Sequence, residues 1–466
     1  MSTDPADDAP GAADRRAVPG AIDESNLTRT VLRLAWPVVI QQFSFASLQL
    51  VDTFLVGHLG EDALAGVGLA SILFWFPLSG MFAIGIGATA VVARNVGAGN
   101  LAKAEHTLRA AQLLSIIWGI GIGIVFFGAA APLMAVMGAE PAAKHDGVVY
   151  MQAAAFGLPF FSLVFASTAC LQGAGDTRSP MLIMVVVNIV NGVLSWVLID
   201  GPGPFPAYGV QGSALGYTGA AAVGALIVVG WLARPGGAIH MPLRANPLAI
   251  DREETRRILN VGLPSGAEQL QFQMSFLLYT RIIASLGTTA LAAHQVALRI
   301  EGLTFLPGFA FGVAATTLVG QGLGAERPEM AEKAAVAAGR IAFVMMTVMG
   351  ITLMVFGGPI TRLFINDDDV VDIGRKLLLI FGIALPALSI SLSLGGALRG
   401  AGDTRAVLGI MSVGVWGVRL LPAYLLAVVA GLGVPGAWLA AVADINTRAI
   451  LMFLRFRQGK WKSIKV

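Results

Sequence analysis

The segment Leu171-Gln-Gly-Ala-Gly-Asp-Thr-Arg178 returns as Leu398-Arg-Gly-Ala-Gly-Asp-Thr-Arg405, matching at seven of eight positions after 227 residues. The same offset carries Pro37 onto Pro264, Gln42 onto Gln269, Gly60 onto Gly287, Ala88-Thr89 onto Ala315-Thr316, Gly97 onto Gly324 and Pro159 onto Pro386. Farther on, Gly209-Val-Gln-Gly212 falls on Gly433-Val-Pro-Gly436 at an offset of 224, so the second copy is three residues shorter there. One half-molecule is written twice. In an apolar chain such a duplication points to a transporter, with two like bundles and a binding site between them.

Of the 466 residues, 56% are apolar and 13% charged, against about 25% charged in an ordinary soluble domain. Gln112–Gly138, Met181–Ile199 and Ile341–Ile360 are each long enough to cross a hydrocarbon core of about 30 Å as a helix. A soluble reading would need about a dozen buried helices in one domain, beyond what a single core supports. A membrane barrel would alternate apolar and polar residues, whereas these runs are apolar on every face. The 57 glycines suit helices packed closely in lipid. A single cysteine, Cys170, leaves no internal disulfide, and no zinc-type Cys/His spacing occurs.

Hydropathy and helix breakers predict an all-α integral membrane fold with twelve spans. They fall near residues 28–56, 62–93, 108–136, 148–172, 180–200 and 209–233, then 255–285, 289–320, 336–358, 373–399, 405–429 and 433–455. Six spans per copy return the chain to its starting side, so the two bundles should be related by a pseudo-two-fold axis along the membrane normal. The expected organisation is a polar disordered tail (1–26), a first bundle (27–233), a linker (234–254), a second bundle (255–455) and a basic tail (456–466). The opening stretch has no signal-peptide pattern, and the linker holds no catalytic or nucleotide-binding segment.

Lys and Arg sort by side. With the N-terminus cytoplasmic, 24 lie inside and four outside (Lys144, Arg362, Arg375 and Lys376), leaving Arg281, Arg299 and Arg419 within spans. That excess places both termini in the cytoplasm, in a multi-pass protein of the cell membrane. Topology and anionic lipid headgroups account for the net charge of +3, with no nucleic-acid module required.

A charge inside a span costs at least a few kcal/mol, about 3 kcal/mol on insertion scales, so buried acids are the first functional candidates. Asp52 lies in the outer part of the first span, with seven residues between it and the Gly60-Glu61-Asp62 turn; its repeat mate is Tyr279. It reads as a carboxyl that alternately holds a proton or Na⁺; capping of the following loop is the plainer alternative. Asn188, Asn191 and Ser195 share one stripe of the fifth span and could bond that carboxyl or offer oxygens to Na⁺. Interhelical hydrogen bonding would equally explain them. Glu268, whose mate is Gln41, stands among Gln269, Gln271 and Gln273. It should face the central cavity, to attract a cation or to pair with Arg281 or Arg299. Gln42, Glu268, Gln269, Gln273, Tyr279 and Arg281 are the candidate cavity residues. Glu301 with Arg299, and Asp444 with Arg448, look like neutralised pairs. His294 could titrate near neutral pH or simply pack. Pro37, Pro159, Pro264 and Pro386 recur at matched places and permit bending, as hinges or as static kinks. In the two Gly-Ala-Gly-Asp-Thr-Arg loops, Gly allows the turn, Asp or Thr caps the next helix and Arg anchors at the surface.

At Val51-Asp-Thr-Phe-Leu-Val-Gly-His-Leu-Gly60, Leu291-Ala-Ala-His-Gln-Val-Ala-Leu-Arg-Ile300 and the two loops after spans four and ten, the chain resembles the multidrug and toxic compound extrusion (MATE) family, nearest its DinF-like prokaryotic branch. The resemblance covers about residues 27–455. It implies H⁺- or Na⁺-coupled antiport of amphipathic, often cationic compounds through a V-shaped pair of bundles. Asp52 matches the family's ion-coupling acid and Asn191 an Asn of the same polar cluster; with Na⁺, these two would be the metal ligands. Where many relatives carry an Asp, this chain has Ser195, and Gly216-Tyr217 stands where relatives often have Ala-Thr. These departures weaken the case for Na⁺ and tilt the reading toward protons. Glu268 matches an acid some members use, while Leu388 stands near the place of a second.

The expected activity is therefore export of a small amphipathic molecule by alternating access, with H⁺ or Na⁺ as coupling ion. No covalent cofactor, ATP-binding segment or obligatory protein partner is evident. A lipid-linked precursor flippase would share the design but should line its cavity with several basic residues. A membrane enzyme would need a clustered nucleophile, metal ligands or an acid pair, and five His, one Cys and scattered acids supply none.

Overall fold

A computed structural model describes residues 26–202, 206–241 and 251–466. Residues 1–25 of the expected N-terminal tail and residues 242–250 of the expected linker lie outside the described residues. The described chain is helical. The first half holds α1 (Leu27–Gly57), α2 (Glu61–Gly97), α3 (Leu101–Val136), α4 (Pro141–Ala155), α5 (Leu158–Gly173), α6 (Arg178–Asp200) and α7 (Val210–Leu232). The second holds α8 (Arg252–Ala284), α9 (Thr288–Gly324), α10 (Pro328–Arg362), α11 (Asp368–Gly400) and α12 (Thr404–Ser412). It continues through a π-helical segment (Val413–Leu420), the one-turn α13 (Leu421–Tyr424), a second π-helical segment (Leu425–Val429) and α14 (Gly433–Arg457).

Among the described residues ten helices are long and apolar enough to cross a membrane, or eleven if α4 and α5, bent by 55°, form one broken span. In α8 the apolar pattern is diluted by Arg252, Glu253, Glu254, Arg256, Arg257, Glu268 and Arg281, yet it occupies the place of α1 in the second bundle. Two six-span bundles result. The expected fourth span is thus broken. Its break, at Phe156-Gly157, precedes Pro159, which sits in the first turn of α5. The mate Pro386 stays inside an unbroken α11, as Pro37 and Pro264 do in α1 and α8.

The halves join at the end that carries the Gly-Ala-Gly-Asp-Thr-Arg loops, here called the basic end. Any side chain at Gly97 would strike the carbonyl of Gln321, and any at Gly324 the carbonyl of Arg94. The offset of 227 exchanges these two contacts, so the pseudo-two-fold axis passes between α2 and α9 where bare backbones touch. Val31, Leu34 and Ala35 of α1 are buried in the core of the second half. Reciprocally, Ile258 of α8 is buried in the core of the first. Hydrogen bonds between halves lie at this same end: Thr317 Oγ1 to the Gln172 carbonyl (3.0 Å), Gln321 Nε2 to the Gly173 carbonyl (3.1 Å) and Thr107 Oγ1 to Glu254 (2.6 Å).

The loops behave in part as expected. Gly175 and Gly402 take positive φ of 89° and 86°, and Asp176 Oδ1 accepts from the Ser179 N–H at 3.0 Å. Asp403 instead binds Arg455 Nε at 2.7 Å. The C-terminal stretch is docked: Trp461 is fully buried and stacks on Phe456, Lys462 reaches Glu332, and the Ile464 carbonyl accepts from Arg94 of the other half at 2.7 Å.

Candidate functional site

Asp52 sits about one and a half turns before the end of α1, and its side chain turns inward between α4 and α7. Tyr150 donates its hydroxyl to Oδ2 at 3.2 Å, and Ser213 donates to Oδ1. All three are buried. One turn beyond Ser213 on α7, Gly216 packs directly on Ser195, where any side chain would collide with the Ser195 hydroxyl. Asn191 Nδ2 donates to Ser195 Oγ at 3.4 Å, a long bond, and its Oδ1 is buried without a partner. Asn188 turns away from this group and donates to the Ser44 carbonyl of α1 at 2.5 Å. A polar seam thus joins α1, α4, α6 and α7 inside the first bundle. Tyr150 and Ser213 were not singled out in the sequence, since hydroxyls scattered on other helices carry no periodic signal.

What distinguishes Asp52 is its company. Among the described residues it has hydroxyl partners and no cation. Asp444, on α14, lies 2.8 Å from Arg419 Nε through Oδ2. Arg448 Nη2 donates to the same oxygen at 2.8 Å, while its Nε lies 2.7 Å from Oδ1 but off the hydrogen-bond direction. Glu268 pairs with Arg399 of α11, at 2.5 Å to Nη2 and 3.3 Å to Nε. That partner replaces the expected Arg281 or Arg299, which are both exposed. Glu301 makes no ion pair among the described residues, with Arg299 or any other base.

The Glu268–Arg399 pair has a neutral twin. Gln172 Nε2 donates to Gln41 Oε1 at 2.9 Å, and the offset of 227 carries Gln41 onto Glu268 and Gln172 onto Arg399. Gln172→Arg399 is the single mismatch of the repeated octapeptide, and its contact partner changes with it.

The other cavity candidates are dispersed. Gln42, Gln269 and Gln273 are half-buried and Arg281 is exposed. Tyr279 is buried in the core of the second bundle beside His294, whose Nδ1 accepts from Trp438 at 3.1 Å. Among the described residues no group of three or more His, Cys, Asp or Glu is placed to hold a metal.

The MatE family model matches this chain twice, over residues 37–197 and 264–425, both matches starting at mated prolines. The chain belongs to the MatE family. MATE proteins are membrane transporters, not enzymes. The chain is 29% identical over 441 residues to the probable multidrug resistance protein NorM of Thermotoga maritima, covering 94% of this chain and 93% of that one. To the multidrug resistance protein MdtK of Yersinia pestis it is 27% identical, covering 92% and 95%. Among solved structures, the outward-facing conformation of a multidrug resistance MATE family transporter aligns with a TM-score of 0.88 at 25% identity, covering 96% of this chain and 99% of that one. A MOP superfamily transporter from Pyrococcus furiosus aligns with a TM-score of 0.86 at 25% identity, over 94% and 97%.

Proposed function

We propose that this MATE protein is a secondary antiporter that exports amphipathic, often cationic compounds in exchange for a coupling cation held at Asp52. One observation carries the reading: of the buried acids Asp52, Glu268 and Asp444, only Asp52 lacks a protein cation, and the half-buried Glu301, also without an ion pair among the described residues, still lies within the field of Arg419 and Arg448. A carboxylate buried without a counter-ion is costly unless it is neutralised. A proton, Na⁺ or a cationic substrate can each do so, and only one at a time, which is the basis of exchange. Asn188, Asn191 and Ser195 complete the ion-coupling region on this reading. The free Asn191 Oδ1 is the feature Na⁺ would use. The single carboxylate, with no second acid grouped beside it to hold a metal ion among the described residues, favours the proton.

The basic end is assigned to the cytoplasm by the positive-inside rule, so contact there leaves the halves open outward. Neutralising Asp52 weakens its hold on Tyr150 and Ser213, frees the outer part of α1 to move relative to α4 and α7, and dismisses the substrate. Pro37, Pro159, Pro264 and Pro386 are the proposed places of bending, with Gln42, Gln269, Gln273 and Arg281 bordering the passage. A flippase for a lipid-linked pyrophosphate is less well supported, because it calls for several bases together, and of the three within spans Arg281 and Arg299 are exposed while Arg419 alone is buried.

Inside-out vesicles test the proposal through ethidium uptake under an imposed H⁺ gradient or, separately, a Na⁺ gradient. Uptake should follow the proton gradient and vanish in Asp52→Asn. Equal uptake by Asp52→Asn would overturn the assignment.

A further inference from the structure

The offset that carries Asp52 onto Tyr279 also carries Gly192, next to Asn191, onto Arg419. The position equivalent to the acidic seam of the first bundle is therefore occupied, in the second, by a guanidinium. Arg419 lies in the π-helical segment, a widened turn of the kind often found at functional positions. Its Nε is held by Asp444, which Arg448 supports from α14. Gly414 leaves the room this requires, since a side chain there would strike Asp444. The rest of the Arg419 guanidinium makes no hydrogen bond among the described residues. It lies 5.8 Å from the Phe272 ring centroid and 5.9 Å from that of Tyr279.

Facing it, α8 presents Gln271, Ser275 and Tyr279 at intervals of four residues, on one stripe. Gln271 Nε2, Ser275 Oγ and Tyr279 Oη are all buried without a partner. The amide of Gln271 is not free to turn over. Trp416 Nε1 donates to its oxygen at 3.3 Å, and an indole N–H cannot accept. The contact between α8 and the π-helical segment is thus rich in unpartnered donors on the α8 side. The Gln271 nitrogen and the guanidinium can only donate, and two hydroxyls can join them. Trp416, which contacts Gln271, is 39% exposed. Two further carboxylates lie within the field of Arg419 or Arg448: Glu301, which pairs with neither among the described residues, and Glu268, which Arg399 holds.

We propose that this side of α8 is a second subsite, taking the carboxylate of an amphipathic substrate on Arg419 beside Tyr279, with Ser275 and Gln271 as further donors along the helix. The two halves then recognise opposite charges: a cation at Asp52, an anion at Arg419. A carboxylate supplies the acceptors that four donors lack, with charge-assisted bonds to Arg419. The occupant's role as a substrate rests on the transport reading above, whereas its binding does not.

Three probes that share a dansyl fluorophore test this: dansylglycine (carboxylate), dansylamide (neutral) and dansylcadaverine (cation). Each is titrated onto the full chain in phosphatidylcholine nanodiscs. Dansylglycine should bind about tenfold more tightly than dansylamide, the worth of a hydrogen-bonded charge. Arg419→Gln should abolish that preference and Tyr279→Phe lower it about threefold, while dansylcadaverine binds both variants as it does the wild type. Glu301→Gln should tighten dansylglycine by removing a competing carboxylate. Equal binding of dansylglycine and dansylamide, or a preference that survives Arg419→Gln, overturns the subsite. If Arg419→Gln does not fold, an unchanged preference in Tyr279→Phe overturns it instead. Loss of the preference in phosphatidylglycerol nanodiscs would give the site to a lipid headgroup and overturn its assignment to substrate. Failure of gradient-driven uptake with the preference intact would count against antiport alone.

Discussion

The Glu268–Arg399 pair and its twin Gln41–Gln172 permit an exchange experiment within one molecule. The ion pair makes two contacts, with side chains 11% and 20% exposed for Glu268 and Arg399. Breaking a fully buried pair costs about 3–5 kcal/mol, and an exposed one is worth about 0.2–1 kcal/mol. Mostly buried, this pair belongs nearer the first case. Glu268→Gln leaves a guanidinium that can still reach water and should cost about 2 kcal/mol; Arg399→Gln strands a carboxylate and should cost about 3 kcal/mol. Additive behaviour would then put the double variant at about 5 kcal/mol. The Gln41–Gln172 bond shows that two amides fit this position, so Glu268→Gln with Arg399→Gln should cost only about 1 kcal/mol. Folded fractions of purified variants in mixed micelles of increasing dodecyl sulfate give the comparison. In the first half, Gln41→Glu should destabilise and Gln172→Arg should rescue it. A double variant no more stable than Arg399→Gln alone would refute the equivalence of the two pairs.

Gly97→Val and Gly324→Val should each force α2 and α9 apart at the basic end, shifting spin-label distances across that end outward by more than 2 Å. Unchanged distances would contradict the close backbone contact as the seam of closure. Tyr150→Phe and Ser213→Ala each remove one hydrogen bond to Asp52, about 1 kcal/mol. Each should slow gradient-driven uptake about fivefold, and together they should approach Asp52→Asn. Trp461→Ala empties a fully buried site under the C-terminal stretch and should cost about 3 kcal/mol. Protease cleavage near Lys460 and Lys462 should accelerate accordingly; an unchanged rate would show that the stretch is not held by this side chain.

Much of the architecture was readable because repetition at a fixed offset is insensitive to local errors. Spans, their number and their pairing into halves all follow from it. The broken fourth span was not, since Pro159 and Pro386 have the same local reading. The difference is the residue two before: Gly157 against Ala384, a costly helix former against the best one. The π-helical stretch at 413–429 also escaped, because a widened turn leaves no distinct hydrophobic period. Asp52, Asn191 and Ser195 were found by cost: polar groups in a span demand a reason. Their partners Tyr150 and Ser213 lie 98 and 161 residues away from Asp52, a distance no pattern bridges. The partner of Glu268 was within reach. Gln172 became Arg399 while Gln41 became Glu268, and two changes of opposite charge at one offset are the signature of a contact.

The central claim is that cation and substrate compete for one carboxylate, and proton release measures this most directly. Ethidium is added to the purified protein in weakly buffered solution near the midpoint of its pH dependence, with a pH dye as reporter. The account predicts release of protons on binding, up to one per chain, and none from Asp52→Asn. Ethidium binding with no proton release from the wild type, or the same release from Asp52→Asn, would contradict it.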